Sequence, residues 1–136
     1  MEYDLGIKFG ILVGKTLTQI TKSNKEEEIN FITTEGEHYQ LFHSQDCCES
    51  VHIDDICGDL NDLVGLPILL AEESSSKENP PNVVIPDTYQ DMDSFTWTFY
   101  KLSTVKGDVT IRWYGSSNGY YSEGVDFVKI NIPEAK

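Results

Sequence analysis

The chain has 136 residues, 39% apolar and 11% aromatic, enough to build one hydrophobic core and too apolar for a disordered polymer. Twenty-three Asp and Glu against ten Lys and Arg leave a net charge of −13, which argues against direct nucleic-acid binding and against anionic membranes, since both depend on basic side chains. No apolar run approaches the roughly 20 residues that cross a bilayer. MEYDLGIKFG carries acids where a secretory leader carries bases, so a single cytoplasmic domain over residues 1–136 is expected.

In chain order, residues 16–22 (TLTQITK) and 28–33 (EINFIT) read as strands joined by SNKEE, and TTEGEH turns the chain into a third at 38–43. Alternation puts Ile29 and Phe31 on one face, and Tyr39 and Leu41 on one face of the next strand. In residues 53–65, Ile53, Ile56, Leu60, Leu63 and Val64 recur at helical spacing, with Ser50 near the start and Gly65-Leu66-Pro67 as a stop. A short helix is expected there, weakened by Gly58, with a strand resuming at 67–73. Residues 74–93, with three prolines and several serines, read as a mobile surface loop. The last third supplies strands at 94–102, 108–114 and 120–132, with GSSNG (115–119) as a turn. Phe95, Trp97 and Phe99 share one face, as do Val109, Ile111 and Trp113, with Arg112 and Tyr114 opposite. The fold class is therefore mostly β (α+β): an antiparallel sheet, sandwich or open barrel of six to eight short strands with one short helix.

Residues 43–55, HSQDCCESVHIDD, concentrate two histidines, two cysteines and four acids. A zinc cage would draw on His43, Cys47, Cys48, His52 and Cys57, but no CxxC or HxxxH pair is present, and adjacent cysteines on an extended segment point to opposite faces. With three clustered cysteines and no leader, reduced thiols are expected rather than a disulfide framework. The surrounding carboxylates would raise a thiol pKa, which disfavours cysteine catalysis. Packed thiols at a helix entry explain the stretch better than a reactive centre. The series Asp54, Asp55, Asp59 and Asp62 lacks the ligand spacing and glycine of a calcium-binding EF-hand loop and suits a solvated helix face.

Residues 112–123 (RWYGSSNGYYSE) place Arg112, the only arginine, near Tyr114, Tyr120 and Tyr121. These residue types serve a protein interface, or stack a base and hold a phosphate, and they also stabilise a plain hairpin. No GxSxG, GxxxxGK[ST] or GxGxxG occurs, so neither an enzyme nor a resident cofactor is expected.

HSQDCCESVHIDDICGDLNDLVG (43–65) and SFTWTFYKLSTVKGDVTIRWYGSSNGYYSEGVDF (94–127) resemble a family of small acidic uncharacterised proteins from phages, prophages and some bacteria. The resemblance implies a phage setting and carries no catalytic residue or cofactor; by analogy it suggests counter-defence or host takeover through binding. The resulting expectation is a non-enzymatic inhibitor that binds a basic host protein stoichiometrically. Asp54, Asp55, Asp59 and Asp62 would supply the field, and Arg112, Tyr114, Tyr120 and Tyr121 the anchors. Two alternatives compete: a sponge for a small signalling nucleotide, held by Arg112 and the tyrosines with help from Lys101 and Lys106, and a zinc-stapled structural module.

Overall fold

The computed structural model describes residues 2–4, 7–23, 27–43, 49–77, 94–117 and 123–131. Among them are nine strands: β1 (Glu2–Asp4), β2 (Leu17–Lys22), β3 (Glu28–Thr33), β4 (His38–Phe42), β5 (Ser50–Cys57), β6 (Leu70–Ser76), β7 (Ser94–Thr104), β8 (Gly107–Ser117) and β9 (Asp126–Asn131). Two 3-10 turns, η1 (Phe9–Leu12) and η2 (Leu60–Leu63), are the only helical elements among the described residues. None of these is long and apolar enough to cross a membrane.

The strands form two antiparallel sheets. The first runs β1-β9-β4-β3-β2 and the second β5-β8-β7-β6. Each sheet turns one apolar face inward, giving a sandwich. Ile20, Ile29, Phe31, Tyr39, Leu41 and Phe127 from the first sheet meet Ile53, Tyr100, Leu102, Val109, Ile111 and Trp113 from the second. Phe9 of η1 closes the gap between them: its ring lies 4.8 Å from Tyr100, 5.2 Å from Phe127 and 6.2 Å from Phe31. The alternation expected for β3 and β4 is present, with Ile29, Phe31, Tyr39 and Leu41 all fully buried.

The expected helix over 53–65 is not formed. Its first half is the edge strand β5, and only Leu60–Leu63 turn, as η2. The cause is a β-bulge: register slips between Ile53 and Asp55, so Ile53 opposes Trp113 and Ile56 opposes Ile111. Two inward residues thus stand three apart, the spacing of a helix face, on a strand. The expected strand at 67–73 lies three residues later, at Leu70–Ser76, so 74–76 are strand rather than loop, and 78–93 lie outside the described residues. Gly115, Ser116 and Ser117, expected in a turn, extend β8.

Candidate functional site

Because β8 alternates, Arg112 and Tyr114 project from the outer face of the second sheet, opposite the inward Ile111 and Trp113. Trp97 and Phe99 of β7 pair with Tyr114 and Arg112 in register and share that outer face. The Phe95, Trp97, Phe99 stripe is therefore the outer one, and Tyr100 and Leu102 are the residues β7 gives to the core.

Arg112 is held from two sides. Its Nε and Nη2 both donate to Oδ2 of Asp54, at 2.8 and 2.5 Å, and Asp55 lies 3.9 Å away. Its guanidinium sits 5.4 Å from the Trp97 ring centroid, a cation–π contact. The Arg112 and Asp54 side chains are 17% and 14% exposed, so little of either faces water. Tyr114 is buried, its ring 4.7 Å from Trp97 and 6.1 Å from His52; burial, then the charge of Glu123, pushes its hydroxyl pKa up. Tyr120 and Tyr121 lie outside the described residues.

The four aspartates separate into two roles. Asp54 neutralises Arg112. Asp55, Asp59 and Asp62 follow the chain off β5 into η2, where Asp59 accepts the Asn61 backbone N–H at 2.9 Å as an N-cap. Here η2 is pressed against the β7–β8 turn. Thr104 Oγ1 donates to the Asp62 carbonyl at 2.5 Å, and Lys106 Nζ reaches the Val64 carbonyl at 3.4 Å. A Cβ added at Gly107 would stand 3.0 Å from Oδ2 of Asp62, and one at Gly58 would stand 2.5 Å from the Asp108 carbonyl. This packing sets the backbone of Asp108, an exposed acid the sequence reading did not single out, against Gly58. Lys101 pairs across from Thr110, two register positions beyond the Phe99–Arg112 pair.

The thiol of Cys57 is exposed and reduced, 3.5 Å from Oδ2 of Asp55. Burial of the sulfur, then its hydrogen bond to the Asp55 carboxylate and that group's charge, push its pKa up, so it stays protonated and poorly nucleophilic at neutral pH. Among the described residues, the other zinc candidates, His43 and His52, do not gather around it. His52 and Cys57 lie opposite Tyr114 and Thr110, four strand steps apart across the bulge, about 13 Å. Cys47 and Cys48 lie outside the described residues, and among the described residues no three His, Cys, Asp or Glu side chains could share a metal ion.

His43 is instead a structural joint. It meets the Gly124 carbonyl through Nδ1 at 2.7 Å and Glu49 through Nε2 at 2.8 Å, with both side chains buried. A carbonyl only accepts, so Nδ1 donates to Gly124, and Nε2 is hydrogen-bonded to the Glu49 carboxyl. Nearby, Glu123 accepts from Ser117 at 2.6 Å and Thr96 at 2.8 Å. Burial pushes its carboxyl pKa up, but bonds from Ser117, Ser94 and Thr96 and the charge of Lys77 outweigh this and hold it below the ordinary range. Neither buried carboxylate was legible in the sequence, where Glu49 and Glu123 look like any surface acid.

Residues 11–127 match the model of the domain of unknown function DUF7448. The chain belongs to this family. No curated protein and no solved structure matches it.

Proposed function

We propose that this DUF7448 protein is a non-enzymatic binding protein that occupies a basic surface of a host protein, in the phage setting its resemblance implies. The observation that carries this reading is the acidic end of the sandwich. Asp59 caps η2 and Asp62 lies on it, beside the β8 backbone at Gly107, with Asp55 and the exposed Asp108 on the adjoining strands, on a chain of net charge −13 whose single arginine is already paired with Asp54. Such an end attracts a cationic surface over a Debye length, about 8 Å at physiological salt, and steers it into register.

The nucleotide-sponge reading is weaker. Arg112 would have to leave Asp54 to grip a phosphate, and buried Tyr114 offers no open ring face.

The test is co-purification with host proteins at low salt, for the native chain and for Asp55→Asn/Asp59→Asn/Asp62→Asn. The expected result is a partner held one to one by the native chain, released at 0.5 M salt and not retained by the variant. A partner retained equally by both proteins at both salt concentrations would refute the mechanism.

A further inference from the structure

The sandwich leaves strand edges at β1, β2, β5 and β6, and most of them are blunted. β1 has only three residues. The register of β2 slips between Leu17 and Gln19, and that of β5 between Ile53 and Asp55; such bulges twist an edge away from further pairing. β6 has no bulge, and its charges, Glu72 and Glu73, guard it only against a like-charged strand. It pairs with β7 in unbroken register from Leu70 to Ser76, carries no proline or lysine, and exposes Glu72, Glu73, Ser74 and Ser75 in succession. η1 packs beside it: Gly10 approaches the Ala71 carbonyl, and Phe9 shares a hollow with Glu73. Among the described residues, no backbone bond joins Glu72–Ser75 to any segment but β7.

Hollows flank this edge on both faces. On the outer face, one of about 470 Å³ is lined by Glu72, Glu73, Ser74 and Lys101. On the inner side, one of about 260 Å³ is lined by Glu73, Ser75, Thr96 and Thr98 among others. An added strand sends alternate side chains to opposite faces, so it would set one row into each hollow. The inner hollow presents hydroxyls and the Glu73 carboxylate, which also accepts the Tyr100 hydroxyl at 2.5 Å.

We propose that β6 adds an extended strand of a basic partner along Glu72–Ser75, with Lys or Arg side chains of that strand reaching Glu72 and Glu73. This rests on the basic-partner reading above and specifies how the partner is held. Charge selects the occupant. A second copy pairing antiparallel about the middle of β6 would set Glu73 against its own equivalent, with Glu72 close by, a like-charge arrangement that destabilises strand pairing. A cationic strand reverses that sign.

The probe is the peptide (Lys-Lys-Thr-Thr)2, which sets lysines on both faces of a strand, with (Glu-Glu-Thr-Thr)2 as control, followed by amide NMR and hydrogen exchange on the full chain at low salt. Saturable binding of the cationic peptide alone is expected, with shifts and added protection centred on Glu72–Ser75. Glu72→Gln/Glu73→Gln keeps an acceptor for Tyr100 and should weaken binding between about twofold and thirtyfold without lowering the thermal midpoint. Shifts confined to Asp55, Asp59, Asp62 and Asp108 would overturn strand addition while leaving the basic-partner reading standing. No saturable binding, or dimerisation of the chain that protects the same β6 amides, would also overturn it. Failure of the basic-partner reading is read separately, from the Asp55/Asp59/Asp62 variant.

Discussion

Several single residues carry constraints that substitution exposes. Gly115 of β8 lies against the Glu123 backbone, where an added Cβ would stand 2.3 Å from the carbonyl oxygen. Gly115→Ala should cost about 1–3 kcal/mol, the usual range for overpacking, read as a lowered midpoint in urea. Gly58 is more constrained still, since it combines a φ of +109° with the Asp108 carbonyl on its Cβ side. Cys57 yields a chemical prediction. Because burial and the Asp55 carboxylate raise its pKa, alkylation at pH 7 should be slow and climb steadily with pH. Asp55→Asn should accelerate it, as followed by peptide mass mapping of that thiol, and an unchanged rate would remove Asp55 as a cause. That nearby carboxylates raise the thiol was readable from the sequence; the exposure of Cys57 on a strand was not, since packed thiols at a helix entry were expected. The Arg112–Asp54 pair was not, because 58 positions separate the partners and only the β5–β8 register brings them together.

At the scale of elements, side-chain bonds fasten strands that the ladder alone would leave adjustable. Arg112 ties β8 to β5 across the bulge. Arg112→Ala should cost about 1.5–3 kcal/mol, the range for a hydrogen bond to a charged group, and a double-mutant cycle with Asp54→Asn should show coupling between the two sites. Additive effects would mean that the pair contributes nothing of its own. On the first sheet, Glu37 accepts from Lys15 at 2.9 Å, Thr33 at 3.3 Å and Tyr39 at 3.1 Å, with Lys129 3.5 Å away. The Lys15 bond holds the Glu37 carboxyl below its ordinary 4.5, against the opposing effect of burial, and the same bond raises Lys15 above its ordinary 10.5. A depressed carboxylate contributes stability above pH 4.5 that is lost as pH falls through its folded value. A raised lysine contributes stability below pH 10.5 that is lost as pH rises through its own. The pair should therefore support a plateau between these limits, and Glu37→Gln should lower that plateau and soften the acid limb of a stability-against-pH curve. Strands β3 and β4 were legible because their alternation is unbroken, whereas β5 was misread because its bulge imposes a three-residue spacing on a two-residue pattern.

At the scale of the molecule, a charge of −13 repels itself, and folding brings those charges closer together. Raising salt from 10 to 150 mM should raise the thermal midpoint, even as it weakens attachment to a cationic partner; a midpoint that falls would place the stabilising pairs ahead of the repulsion. The class of fold was readable from strand-rich composition, but sheet order was not, because nothing local says that β9 is inserted between β4 and β1. That insertion bears on time as well as shape. His38 and Ile130 are partners although about 90 positions separate them, so the first sheet cannot close until the two ends of the chain have found each other. A chain with such remote pairings pays its loop-closure entropy before most contacts form, and it belongs with the β-sandwiches that refold in milliseconds to seconds rather than microseconds. Until β9 docks, β1 has no partner in the sheet and β4 is paired on one side alone, so the unfinished chain carries the greatest exposure to misassembly late in its folding.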